Sequence, residues 1–145
     1  MHFEVLEEAL LTKGVFLEIT ALDVSWAAAL VGPRGKILVP TIVHHEMLNV
    51  LAGIEHTLGG VRRRGTSLRG RETTALKILI GLEVTIDIRR TGTRAYAVKF
   101  WAPQERIPET ALAFTDVNLW FALNEAIATI FATISATHLA KTIGH

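Results

Sequence analysis

Three carboxylates stand where their type and setting could support chemistry. Glu46 falls in the first turns of a helix expected after the apolar stretch Lys36–Val39. It shares a helical stripe with Ile42, Asn49 and Gly53, on the border of the apolar face. Asp116 falls in the first turn of a second expected helix, capped by Thr115, on the face of Leu119, Trp120 and Leu123. Asp23 follows the aliphatic run Val15–Leu22 and precedes a short expected helix. Acids at the carboxyl ends of strands lie along the edge where open parallel sheets bind ligands. Gathered carboxylates repel one another, and a divalent cation relieves that repulsion. Magnesium takes oxygen ligands, keeps several waters and needs only one or two carboxylates. It activates a water and stabilises charge on a phosphoryl group. Each acid also has a purely structural explanation. Asp116 would favour a helix dipole by about 0.3–1 kcal/mol, Asp23 suits a turn, and Glu46 suits a solvated helix edge.

Other constellations are weaker. His45-Glu46-Met47-Leu48-Asn49 misses the zinc-protease pattern His-Glu-x-x-His at its fifth position. Asn49 reads better as a side chain that orients Glu46 by a hydrogen bond, or as a polar rim residue. No phosphate-cradling Gly-x-x-x-x-Gly-Lys precedes Lys36, and Ser25, Ser67 and Ser135 lack a nucleophile-elbow context. Arg62, Arg63, Arg64, Arg69 and Arg71 form the one charge run. With Arg89, Arg90 and Arg94 they could bind a phosphate backbone, pair with carboxylates of a protein partner, or line a solvated loop.

The elements that must position these residues follow from periodicity. Phe3, Leu6, Leu10 and Leu11 have helical spacing. Val15–Leu22, Lys36–Val39 and Leu82–Ile88 read as strands, and residues 25–30 as a short helix closed by Gly32-Pro33. Pro40 ends a strand and leads into a helix from Thr41 to Leu58, with stripe residues Val43, Met47, Val50, Leu51, Ile54 and Leu58. A helix is expected at 73–80, and another over Tyr96–Trp101. Pro103 and Pro108 bracket a loop, and Thr115 caps a helix to Ile127. Ile130–Thr133 reads as a strand and 136–143 as a helix. Alternation of short strands with helices argues for a parallel sheet covered on both faces.

Composition bounds the rest. With 145 residues the chain is expected to form a single domain. Half of it is apolar, which excludes a disordered chain. It has no cysteine, so disulfides, thiolate metal sites and cysteine nucleophiles are out, and a reducing cytoplasmic setting is expected. The net charge of +1 does not by itself announce a nucleic-acid binder. Glu4, Glu7 and Glu8 interrupt any apolar leader. Asp116, Asn118, Asn124 and Glu125 lie within the apolar region 111–134, which argues against a membrane span.

The order of these pieces resembles a PIN domain. The stretch KILVPTIVHHEMLNVLA (36–52) is similar to that family's strand, proline and helix bearing its second acid, on Glu46. FTDVNLWFA (114–122) places the third acid on Asp116, and IFATISATHLA (130–140) looks like the strand followed by Thr-x-Asp. Ser135 stands where that pattern has its fourth acid. The first acid is Asp23 by residue type or Glu18 by position. The resemblance implies a three-layer α/β/α fold, with a central parallel sheet of four to five strands over residues 1–145. It implies a Mg²⁺- or Mn²⁺-dependent endoribonuclease. Asp23, Glu46 and Asp116 would hold the ion, and Ser135 or Thr133 would place a water or phosphate oxygen. RNA, an antitoxin protein of a toxin–antitoxin pair and a second copy in a homodimer are the implied partners. A degenerate site, serving an RNA- or protein-binding module, is the second reading. An unrelated α/β interaction domain, with Glu46 and Asp116 far apart, is the third.

Overall fold

The computed structural model describes residues 2–22, 25–60, 83–103 and 107–143, with backbone alone at 22, 134, 135 and 137–143. Helix α1 (Glu4–Ala9) leads into strands β1 (Phe16–Leu22), β2 (Ser25–Val31) and β3 (Ile37–His44). Helix α2 (Met47–Thr57) follows. A second set of strands, β4 (Thr85–Gly92), β5 (Ala95–Ala102) and β6 (Ile107–Thr115), ends in the long helix α3 (Leu119–Ile143). The six strands form one sheet in the order β3-β2-β1-β4-β5-β6. Every pairing is antiparallel. Two three-stranded meanders are thus joined along β1 and β4, and each runs on into a helix.

Side-chain alternation fixes which face is covered. Leu17, Ile19 and Ala21 on β1, Trp26, Ala28 and Leu30 on β2, and Ile86 and Ile88 on β4 are all buried. So are Tyr96, Val98 and Phe100 on β5. These residues are register partners across the strands, so they form one continuous surface. They share a single core with Leu6 and Leu10 at α1, Val50, Leu51 and Ile54 of α2, and Leu119, Leu123, Ala126 and Ile130 of α3. The helices therefore lie on one face, and the opposite face of the sheet carries no layer among the described residues. No described helix is long and apolar enough to cross a membrane.

This arrangement corrects the expected three-layer α/β/α fold with a parallel, PIN-like sheet. Residues 25–30 are a strand although Ala27, Ala28 and Ala29 favour helix, because pairing on both sides outweighs a propensity of a few tenths of a kcal/mol (~0.5). Gly32-Pro33 turns a hairpin rather than closing a helix: the Gly32 N–H donates to the Lys36 carbonyl, and Arg34 and Gly35 take positive φ. Residues 96–101 alternate buried and open positions and form β5, not a helix. Periodicity singles out no element over 109–114, yet Ile107–Thr115 forms the strand β6. Pro40 does not end its strand. It sits at a bulge in edge strand β3, where a missing N–H is tolerated. Ile130–Thr133 is helical, part of α3, which starts at Leu119 rather than at Thr115. The helix expected at 73–80 lies outside the described residues.

Two buried glutamates tie the helices to one another. Glu55 of α2 accepts from the Val5 and Leu6 N–H groups, each at 2.8 Å, and so caps α1 from a neighbouring element. The α1 cap position is Phe3, which has no capping oxygen. Gly60 leaves room for this carboxylate, since a Cβ there would sit 2.6 Å from Glu55 Oε1. Glu7 of α1 in turn accepts from the Leu119 N–H at 2.9 Å and from the Tyr96 hydroxyl at 2.8 Å, and its other oxygen meets His2. Glu7 is 4% exposed and Glu55 6%. Arg90 donates to the Glu7, Gly92 and Thr93 carbonyls, fastening the β4–β5 turn to α1.

Desolvation by burial, then the hydrogen bond and negative charge of Glu7, push the Tyr96 phenol well above its usual value, against a smaller opposing effect of Arg90. The sign follows from linkage. A raised folded-state pKa means that the stability is fully present below the unfolded value of about 10 and is lost as pH rises beyond it. The expected outcome is an alkaline loss of stability from that pH upward, absent in Tyr96→Phe, measured by urea unfolding across the alkaline range. Glu55→Gln should cost about 1.5–3 kcal/mol, the value of hydrogen bonds to a charged group. Gly60→Ala should lower the urea midpoint in the same direction by displacing the same carboxylate.

Candidate functional site

Glu46 lies between β3 and α2, at the cap position of the helix, with extended backbone and no capping hydrogen bond from its side chain. Its Oε2 accepts from Asn49 Nδ2 at 3.4 Å, and its Oε1 lies 3.3 Å from His45 Nε2. The Glu46 N–H donates to His44 Nδ1 at 3.0 Å, and the rings of His44 and His45 stack 4.3 Å apart. His45 and Glu46 precede the helix, so the near-match to His-Glu-x-x-His has no helical frame to present it.

Asp116 belongs to the connection from β6 to α3. It is exposed, takes the left-handed conformation at φ 60°, and its carbonyl accepts from Arg94 at 3.4 Å. It is not in the first turn of a helix. Asn118 does the capping, accepting from the Phe121 N–H at 2.9 Å. Thr133 lies mid-helix in α3 and donates to the Thr129 carbonyl at 2.9 Å. Ser135 is two residues further along the same helix rather than at the end of a strand. Glu18 projects from the middle of β1 on the uncovered face. Asp23 and the run Arg62, Arg63, Arg64, Arg69 and Arg71 lie outside the described residues.

The topology separates the two described acids of the expected trio. Glu46 follows β3 and Asp116 follows β6, the two edges of the sheet. Five inter-strand spacings of about 4.8 Å put them roughly 24 Å apart laterally. The strands also run oppositely. β3 is parallel in sense to β1 and β6 to β4, so Glu46 and Asp116 stand at opposite ends as well. Among the described residues no three His, Asp or Glu side chains gather to hold a metal ion.

Arg89, Arg90 and Arg94 are each engaged within the fold. Arg89 lies 4.2 Å over the Phe16 ring and 3.3 Å from Asp87, Arg90 holds the β4–β5 turn, and Arg94 holds the Asp116 carbonyl. The acids with the most specific environments are Glu7 and Glu55, which the motif reading missed. Their signal was present: Glu7 lies at i+4 from Phe3 and i−3 from Leu10, and Glu55 at i+4 from Leu51 and i−3 from Leu58, both on apolar stripes.

The chemically distinctive surface is the face of the sheet opposite the described helices, against which no described element packs. One row across it reads Ala29, Glu18, Asp87, Lys99 and Ala111, in register. The next reads Val31, Phe16, Arg89, Ala97 and Ala113, and a third Val43, Ala27, Thr20, Thr85 and Trp101. Glu18 and Asp87 face each other as like charges, an arrangement that Arg89 and Lys99 offset from the neighbouring positions. Around this small charged centre the face is alanine, threonine and apolar side chains. Ile37 and Val43 on β3 are 55% and 54% exposed.

If Glu46 and Asp116 do not share a site, their effects must be independent. The stability changes of Glu46→Gln and Asp116→Asn should add in the double variant to within about 0.5 kcal/mol, measured by urea unfolding with and without magnesium. A larger coupling that appears with the ion would bring the two carboxylates back to one centre. No protein-family model matches the chain, and neither a curated protein nor a solved structure matches it.

Proposed function

We propose that this chain is a non-catalytic protein-interaction domain whose uncovered sheet face receives a protein partner. The observation that supports this most directly is the composition of that face. Solvated faces of antiparallel sheets normally alternate to polar side chains. Here the partly or fully exposed Phe16, Ile37, Val43 and Trp101 surround Ala29, Ala97, Ala111 and Ala113, while Ala27 and Val31 are buried. Aromatic and arginine side chains over a level, weakly charged floor are the material of protein interfaces. A depression of about 430 Å³ at the β5–β6 turn, lined by Trp101, Pro103, Ile107, Pro108 and Glu109, adds a place for an anchoring side chain.

The charge on the face favours a protein over RNA. Glu18, Asp87 and Glu109 stand against Arg89 and Lys99, which gives no cationic track for phosphates. Mixed signs at short range suit a protein surface of complementary pattern. With no cysteine to oxidise, the domain suits a reducing cytoplasm.

The test uses a photo-crosslinking residue at Ala29 or Ala113, on the open face, and at Glu8, an exposed position of α1, in extracts of the native host. The expected result is a discrete adduct from the open-face positions alone, lost when Phe16→Asp is added to a chain that still unfolds cooperatively. Equal labelling from all three positions would overturn the reading. So would magnesium- or manganese-dependent RNA cleavage abolished by Glu46→Gln and by Asp116→Asn. Salt-sensitive RNA binding lost on replacing Arg62–Arg64 would favour an RNA-binding module instead.

A further inference from the structure

The two edges of the sheet are not alike. β3 is blunted: Pro40 and Thr41 together oppose Ala29 in a bulge, and proline offers no N–H. β6 has its proline and its bulge at the start, where Pro108 and Glu109 together oppose Trp101. From Thr110 to Thr115 it runs for six residues, Thr-Ala-Leu-Ala-Phe-Thr, with no proline and no register shift. Among the described residues no strand pairs with its outer side. A strand edge of this length presents a row of backbone donors and acceptors that only another extended strand satisfies.

We infer that β6 pairs antiparallel with β6 of a second copy of this chain, about a two-fold axis through Leu112, to make one continuous twelve-stranded sheet. A two-fold axis normal to the sheet keeps the helix faces of both copies together, so a residue must lie opposite one of the same side-chain sense. With Leu112 on the axis, Ala111 faces Ala113, Thr110 faces Phe114 and Glu109 faces Thr115, each pair occurring twice. This register pairs 110–114 of the unbroken run, brings Glu109 of the bulge beside Thr115, and leaves Pro108 beyond the paired segment.

The charges fit the same register. Glu109 is the one formal charge within 109–115, and within its own copy it lies 3.3 Å from Lys99, so in the dimer it sits between Lys99 and the cation of the other copy. It arrives at the corner where Thr115 of the other copy pairs with Ala95, next to Arg94. Arg94 lies there against the Asp116 carbonyl and is exposed, so it is the cation that meets the incoming carboxylate. The axis makes this pair twice, and the Asp116 carboxylate at the same corner is the only other formal charge on that connection. Shifting the axis to Ala111 or Ala113 loses the contact and shortens or caps the ladder with Pro108. On the helix side, Leu112 and Phe114 are half-buried against the core, so their remaining surface is what the second copy covers. This inference concerns the β6 edge and stands apart from the reading of the open face.

The experiment uses the full chain. Sedimentation at micromolar concentration should give a species of twice the chain mass. The chain has no cysteine, so one introduced thiol reports one position. In the proposed register the two Leu112 Cα atoms are about 4.5–5.5 Å apart, within disulfide reach. Those of Thr110 are about 13 Å apart, four residues out of step. Leu112→Cys should therefore form a disulfide-linked dimer under mild oxidation and Thr110→Cys should not. Glu109→Arg alone should abolish the dimer, and adding Arg94→Glu should restore it. A monomer at every concentration would overturn the inference. So would a dimer in which the two cysteine variants cross-link equally or the charge reversal has no effect.

Discussion

The fold depends on carboxylates that cap helices across space. α1 is six residues long, too short to hold its shape alone, and its cap position is a phenylalanine. It is helical because Glu55 satisfies its first N–H groups and because Phe3, Leu6 and Leu10 bury one side of it. Once α1 is fixed, its own Glu7 reaches the Leu119 N–H and the Tyr96 hydroxyl, and this fixes where α3 begins over β5. The chain of constraint runs from α2 to α1 to α3, three helices distant in sequence and adjacent over one sheet. Each link is a charge-assisted hydrogen bond in a buried setting, where leaving one partner alone costs the full desolvation of that group.

With the described helices on one face, the other face is left to be explained. A two-layer fold with an uncovered antiparallel sheet is ordinary when that face is polar. Here the like-charged pair Glu18 and Asp87 sits at its centre, held by Arg89 and Lys99, and small or apolar side chains fill the remainder. Alanine at 29, 97, 111 and 113 leaves little side chain standing above the backbone, which lets a second surface approach closely. Both edges of the same sheet carry a proline and a bulge, in the middle of β3 and at the start of β6, so β6 alone keeps six unbroken residues, Thr110–Thr115.

The antiparallel topology also decides what the acidic residues can do. In a parallel sheet the carboxyl ends of all strands share one edge, and acids placed there gather without further design. In a meander the ends alternate. The same residue types, Glu46 after one strand and Asp116 after another, then come to diagonal corners. Each is accounted for locally: Glu46 by Asn49 and the paired histidines, Asp116 by a left-handed turn that sends the chain from β6 into α3.

The sequence by itself determined the local elements whose pattern is unambiguous. Helical spacing at Phe3, Leu6 and Leu10 gave α1, the aliphatic run gave β1, and the stripe expected over 41–58 gave α2 only from Met47 onward, Thr41–His44 with Val43 being strand instead. It did not determine the strands β2, β5 and β6, because Ala-rich or aromatic runs of seven to nine residues fit both periods until neighbours are known. Nor did it determine strand direction, which decides whether acids after successive strands meet. That information lies in pairings such as Leu17 with Ile88, seventy-one residues apart, and in the apolar faces they join. Burial turned Glu7 and Glu55 from unremarkable helix acids into the joints of the fold, and only the packed core creates that burial.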